Sequence, residues 1–429
     1  MNKPAMSSRE RLLLTINHKE PDRLVVDIGA GGQTGMGVCA VHHLRNRIFG
    51  NTGYRVKVTE PYQMLGEIDE ELRQKLNLDV VGIHPPENMF GFRNEKWKPF
   101  TMHDGVTVDV PGKFNFTRDD DGAVFMHAEG DLNIPPRAKM AAGSYFFDSI
   151  PTGKSADYNN LNPDDNTEEF TVLSNDDVSH FSNLAKKYFN ETGYGIYMTL
   201  PGMAFGDIAL VPATWMKNPE GIRNVEEWYL ATLVYPDYIK EVFEKQCEIA
   251  LKNIELLANA LGDYVQVVFV SGTDFGTQNG LFSSLETYRE LYKPFQRIIN
   301  DKIHELTNWK VFIHSCGAIY DLIPDLIEAG FDILNPVQIS AERMDPLRLK
   351  KEFGKDIVFW GGGIDTQHTL PFGTPEEVYR ETRKNIDIFS PGGGFVFNAV
   401  HNIQSNVPIE NILAMLRALN DARGITSVF

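Results

Sequence analysis

The chain has 429 residues, enough for one large α/β barrel or for two ordinary domains. It carries 58 acidic against 41 basic residues, and a net charge of −17 repels phosphate backbones, which sets nucleic acid aside as a partner. No apolar run approaches the length of a membrane span, "MNKPAMSSRERLLL" lacks the apolar core of a signal peptide, and three cysteines give no disulfide framework; together these predict a cytoplasmic protein.

Apolar, β-branched runs recur along the chain, and helical patterns separate most of them. Eight are strand candidates: "RLVVDIG" (23–29), "DVVGIH" (79–84), "GIYMTL" (195–200), "YVQVVFV" (264–270), "KVFIHSC" (310–316), "FDILNPV" (331–337), "IVFWGG" (357–362) and "GGFVFNAV" (393–400). They are continuous rather than alternating, the pattern of strands buried on both faces of a parallel sheet. After the second run, residues 87–165 break the pattern. There Thr, Val and Phe alternate with polar residues around "DDDGA", which predicts inserted antiparallel hairpins, with a polar connector over 151–166. Further on, residues 218–260 predict two helices broken at Pro236. A helix over 284–306 opens on a serine cap, one over 318–330 ends at a glycine, and one over 374–389 has proline in its first turn. Strands alternating with helices predict a (β/α)8 TIM barrel over the whole chain, 1–429, with an open doubly wound sheet as the alternative.

In such a barrel, chemistry belongs at the C-terminal ends of the strands. Polar side chains fall there repeatedly. His84 ends the second run, Asp274 and Gln278 follow the fourth, and His314 and Cys316 end the fifth. Asn335 and Gln338 end the sixth, Asp365 and Gln367 follow the seventh, and His401 and Gln404 follow the eighth. None is a lysine or arginine, so the mouth suits a polar, neutral or cationic small molecule better than a polyanion. His84, Gln278, Asn335, Gln338, Gln367 and Gln404 are its candidate substrate-binding residues.

His314 and Cys316 stand two apart, so on a strand they face the same side. Imidazole and thiolate are a ligand pair that zinc favours. The plainer reading makes Cys316 a small buried hydrophobe and His314 a partner for a neighbouring backbone. His401 is the best third ligand; Asp274 and Gln338 are weaker ones, and Cys39 and Cys247 lie in a glycine-rich context and within a helix. Asp274, His314 and Asp365 are the candidate catalytic groups. Asp274 suits orienting a histidine or acting as general base. The alternative for Asp274 and Asp365 is that they cap the helices that follow. The glycines of "GGGID" (361–365) lack dinucleotide-fingerprint spacing, "DIGAGGQTG" (27–35) suits an anion or simple flexibility, and "DDDG" (119–122) is a turn rather than a calcium loop.

The opening "RERLLLTINHKEPDRLVVDIG" (9–29) and the segments "HSCGAIYDLIPDLIEAGFDILNPVQ" (314–338), "KKEFGKDIVFWGGGIDTQ" (350–367) and "SPGGGFVFNAVHNIQSNVPIENILAM" (390–415) resemble the uroporphyrinogen decarboxylase superfamily. The resemblance implies a (β/α)8 barrel and one of two chemistries. One branch decarboxylates a porphyrinogen without a cofactor. The other transfers methyl groups using cobalamin, and holds zinc through a His-x-Cys pair and a later Cys. This chain departs from the decarboxylase pattern after the first strand, where "GAGGQTG" replaces a basic stretch. It departs again past the second, where Pro86 stands near the place of the catalytic acid. His314 and Cys316 match the His-x-Cys pair, and His401 stands where the later Cys is expected. The resemblance therefore favours the methyltransferase branch, with zinc, and with methylcobalamin or another corrinoid on a separate corrinoid-binding protein as partner. A porphyrinogen decarboxylase and a non-catalytic binding barrel are the alternatives. The sequence sets no oligomeric state.

Overall fold

The computed structural model describes residues 6–151 and 156–426. Eight parallel strands form the central sheet: Val25–Val26, Val80–Ile83, Gly195–Thr199, Val267–Ser271, Lys310–His314, Ile333–Asn335, Val358–Trp360 and Phe395–Phe397. They are called the first to eighth strands below. Their order is 1-8-7-6-5-4-3-2, so the sheet curls until its two ends meet. This is the (β/α)8 barrel; seven strands fall inside their apolar runs, and the fourth extends one residue past its run, to Ser271.

The ends meet through a side chain as much as through a ladder. The Asp79 backbone N–H donates to the Val26 carbonyl at 2.9 Å, and the Val26 N–H donates to Asp79 Oδ2 at 3.0 Å. Arg423 Nη2 reaches the same oxygen at 2.9 Å, with both side chains fully buried. Arg11 and Arg23 lie 3.6 and 3.7 Å from the other oxygen, and Ser8 Oγ donates to it at 2.7 Å. One carboxylate thus ties the first and second strands to the N-terminal helix (Ser8–Ile16) and to the chain's last turn.

Side chains fill the barrel interior. Val25, Val80, Tyr197, Phe269, Phe312, Trp360 and Val396 form one cluster with Leu12 and Ile16 from the N-terminal helix. Phe312 meets the Tyr197 and Trp360 rings edge-on at 5.4 and 5.5 Å. The N-terminal helix packs closely enough that a Cβ on Gly195 would lie 2.2 Å from Leu12 Cδ2, so any larger residue would displace the buried Leu12 side chain.

Above this layer, Asp27 accepts the Trp360 indole N–H at 3.0 Å and the Ala30 N–H at 2.9 Å. Burial pushes its carboxyl up from an ordinary 3.8 to about 6, and those hydrogen bonds only partly oppose the rise. The folded chain therefore keeps this proton to higher pH than the unfolded chain does. The group's contribution to stability is full below the unfolded value and is lost as pH rises through the folded one. Between about pH 4 and pH 7, wild type is expected to lose roughly 2–3 kcal/mol relative to Asp27→Asn, whatever the variant's constant offset. Urea unfolding of both proteins across that range checks it, and a difference that stays flat with pH contradicts it.

The insertion after the second strand is antiparallel. Lys98–Thr101 pairs with Thr107–Val110, and a four-stranded sheet runs from Phe116–Arg118 through Val124–Met126 and Ala138–Met140 to Asp148–Ser149. Phe147 meets the Phe90 and Phe114 rings edge-on, and all three are continuous with the main hydrophobic core. "DDDG" makes a turn in which Asp119 Oδ1 accepts the Ala123 N–H at 2.9 Å. Residues 152–155 of the polar connector lie outside the described residues.

Several helices differ from expectation in detail. The 284–306 helix is interrupted by a π turn at Tyr288–Tyr292 before continuing as Lys293–Leu306. The 318–330 helix is a 3-10 turn, Tyr320–Leu322, followed by Ile323–Glu328. The break at Pro236 separates Val225–Val234 from Pro236–Leu261. No helix among the described residues is long and apolar enough to cross a membrane.

Candidate active site

His314 is the last residue of the fifth strand and lies in register with Asn335, the last of the sixth. Asn335 Nδ2 donates to the Trp360 carbonyl at 2.6 Å, which fixes the amide and turns Oδ1 toward His314 Nδ1, 2.6 Å away. Nδ1 therefore carries the proton and Nε2 presents its lone pair. Cys316 Sγ lies 3.3 Å from that Nε2. The Cys316 N–H donates to Asp274 Oδ1 at 2.6 Å, and the Phe275 N–H donates to Ser315 Oγ at 3.0 Å. These bonds stitch the loop after the fourth strand onto the loop after the fifth. The loops touch at Gly317 (φ +96), where a Cβ would sit 2.3 Å from the Gly276 carbonyl carbon.

His401, from the loop after the eighth strand, completes the group. Its ring meets that of His314 edge-on at 5.2 Å, and one ligand atom each from His314, Cys316 and His401 all lie within 4.8 Å of one another. Tetrahedral zinc needs donor atoms roughly 3.5 Å apart. His314 Nε2 and Cys316 Sγ already meet that spacing with the correct lone pairs. His401 fits with one adjustment. Its Nδ1 accepts the Asn402 N–H at 2.8 Å, which leaves the ring proton on Nε2. Ligation by His401 therefore needs either a shift of that proton or a turn of the ring.

The electrostatics are those of a neutral trio in which His314 is buried and Cys316 and His401 are half-buried. Burial pushes the His314 pKa down to about 4, partly opposed by Asn335. Burial does the same for His401, to about 4, with His314 adding to the fall and Asp274 opposing it. The Cys316 thiol is pushed well above its ordinary range by burial and then by the nearby Asp274. Asp274 is itself raised, by burial, against the Cys316 N–H that favours its charge. Neutral imidazoles are the ligating form, and a thiolate here becomes favourable only against a cation. The donor set fits zinc on those grounds.

A cavity of about 460 Å³ opens at this point, lined by Cys316, His401, Gln278, Gln338, Gln367 and Gln404, and also by Thr277, Thr366 and Asn402. The structure thus brings together most of the residues expected at the strand ends. Five do not line this cavity: Asp274 and His314, which contact Cys316 from behind it, and Asp365, Asn335 and His84. Asp365 is spent locally: its oxygens accept the Gln367 and His368 N–H groups at 2.9 and 3.2 Å, so it caps its own loop. Asn335 is fully buried with both amide ends committed, and positions His314 instead of meeting a ligand. His84 sits against Thr199, with Nδ1 3.2 Å from the hydroxyl. Thr277, Thr366 and Asn402 were not singled out from the sequence; each lies one residue from a residue that was. Cys39 and Cys247 are buried elsewhere, in the helices Val38–Phe49 and Pro236–Leu261.

The family pattern for uroporphyrinogen decarboxylase (URO-D) matches residues 202–422, just over half the chain and all of the trio. The chain belongs to the URO-D family. A methylated-thiol–coenzyme M methyltransferase from Methanosarcina mazei is 28% identical over 210 residues, 49% of this chain and 51% of that protein. The chain thus matches about half the length of that relative. A solved methyltransferase from Methanosarcina mazei superposes over 97% of this URO-D family chain and 99% of its own, with a TM-score of 0.54 at 12% identity. At that identity the likeness concerns the barrel fold alone.

Proposed function

We propose that this URO-D family protein is a zinc-dependent methyltransferase that moves a methyl group between a corrinoid, held by a separate carrier protein, and a small-molecule or thiol partner. The observation that carries the proposal is the convergence of His314, Cys316 and His401 within 4.8 Å at the rim of a cavity. The matched methyltransferase relative supports the same direction. When bound, zinc supplies a Lewis acid that favours a thiolate or polarises a leaving group, and the corrinoid supplies the cobalt that carries the methyl.

The chain's own residues do the rest. Asn335 holds His314 in the tautomer with Nε2 free. Asp274 fixes the Cys316 backbone and sets a carboxyl beside the site, where a bound cation would favour its ionised form. His401 would complete the metal shell once its bond from Asn402 rearranges. Gln278, Gln338, Gln367 and Gln404 form the wall that receives the small molecule, and the barrel's open mouth faces the carrier.

Methylcobalamin as the corrinoid and 2-sulfanylethanol as the thiol give a direct assay. The purified protein is expected to speed loss of the methylcobalamin absorption band, and Cys316→Ser to remove the acceleration. Equal rates with wild type, variant and no protein would sink the proposal.

A further inference from the structure

The cavity's wall is made of amides, and it is wired. The Gly317 N–H donates to Gln338 Oε1 at 2.8 Å, and Gln338 Nε2 donates to Gln278 Oε1 at 3.0 Å. Gln278 Nε2 in turn donates to the Ser340 carbonyl at 2.5 Å, and the Ser340 hydroxyl donates to Gln367 Oε1 at 3.0 Å. The chain of bonds begins one residue from Cys316 and runs outward along one side of the cavity, with Gln404 also on the lining. Each amide nitrogen carries two hydrogens and each amide oxygen two lone pairs, so the wall keeps spare donors and acceptors after these bonds are made.

No lysine or arginine lines the cavity among the described residues. An anionic head group entering it loses its hydration without meeting a counter-charge, a cost of several kcal/mol by the usual measure of burying an unpaired ion. The Asp274 carboxyl behind Cys316 offers an anion no counter-charge at the inner end either. The long-range field of a chain with net charge −17 acts the same way. A cationic head group finds no better partner on the wall, since the Asp365 carboxylate is turned back onto its own loop.

We infer that the small molecule handled here is uncharged at its non-reacting end, a hydroxyl, ether or amide compound instead of a sulfonate, carboxylate, phosphate or ammonium. Its reacting atom sits at Cys316 and its polar end on Gln278, Gln338 and Gln367. The inference rests on the proposed methyl- or thiol-handling role and specifies the substrate class for it.

Two thiols differing only in their heads test this: 2-sulfanylethanol, neutral, and 2-sulfanylethanesulfonate, anionic. Their binding is measured by titration calorimetry on the full chain purified without chelator, and metal content is measured on the same sample. The neutral thiol is expected to bind about ten-fold tighter or more. Gln278→Arg, a change at an exposed position on that wall, is expected to raise sulfonate affinity by about ten-fold or more. The inference is overturned if wild type binds the sulfonate as tightly as the neutral thiol, or if neither thiol binds. Metal present with the sulfonate preferred overturns the substrate class and leaves the metal site standing. Metal absent with the neutral thiol still preferred does the reverse.

Discussion

An Asp79→Ala variant is expected to lose about 3–5 kcal/mol of stability, the cost of leaving a buried cation without its partner. The group at risk is Arg423, whose side chain is fully buried and only 2.9 Å from Asp79 Oδ2. Burial lowers the Arg423 pKa to about 10 despite Asp79, which still leaves it charged at neutral pH. The substitution also removes one of the two carboxylates beside Arg11, which keeps Asp22, and removes the acceptor for the Val26 N–H at the seam where the barrel closes. The loss should be global, lowering the urea midpoint seen by every probe. Asp79→Asn keeps an acceptor but removes the charge, and is expected to fall between alanine and wild type. A midpoint shift for alanine worth less than about 1 kcal/mol, the scale of an exposed ion pair, would mean that the seam does not depend on this carboxylate.

The second large effect concerns zinc. Cys316→Ser is expected to remove most of the bound metal, because an alcohol oxygen is a far poorer zinc ligand than a thiolate. Asn335→Ala touches no metal, yet is expected to weaken zinc binding by about 10- to 100-fold, the usual loss when the group orienting a ligating histidine is removed. Without the 2.6 Å bond to Asn335 Oδ1, nothing holds the His314 proton on Nδ1. His401→Ala should cost less than Cys316→Ser, because His401 must first give up or rearrange its bond from Asn402. Competition with a chromophoric chelator ranks all three. If Asn335→Ala binds zinc as well as wild type, the histidine is not held in place as described.

The barrel was legible because its strands are buried on both faces and so appear as continuous apolar runs. Phe312, Val311 and Ile313, for example, are all fully buried. The pairing of His314 with Cys316 was legible from their spacing, and His401 from its place after the eighth strand. The direction in which a side chain points was not legible. Asp365 and Asp274 both follow strand ends, yet one carboxylate folds back onto its own loop while the other reaches across to Cys316. Asn335 looked like a ligand-binding residue because sequence cannot show that Trp360 occupies its amide. Asp79 drew no notice, since an aspartate opening a strand candidate resembles an ordinary turn residue. Its importance appears only when Arg11, Arg23 and Arg423 arrive from both ends of the chain.

The central claim is that Cys316 and His314 hold zinc at the cavity. Zinc-edge X-ray absorption on protein purified without chelator tests it most directly, since it reports both whether the metal is there and what surrounds it. The account predicts about one zinc per chain, with one sulfur at roughly 2.3 Å and nitrogen at roughly 2.0–2.1 Å, the sulfur disappearing in Cys316→Ser. Wild-type protein without zinc, or with a zinc shell that contains no sulfur, would contradict it.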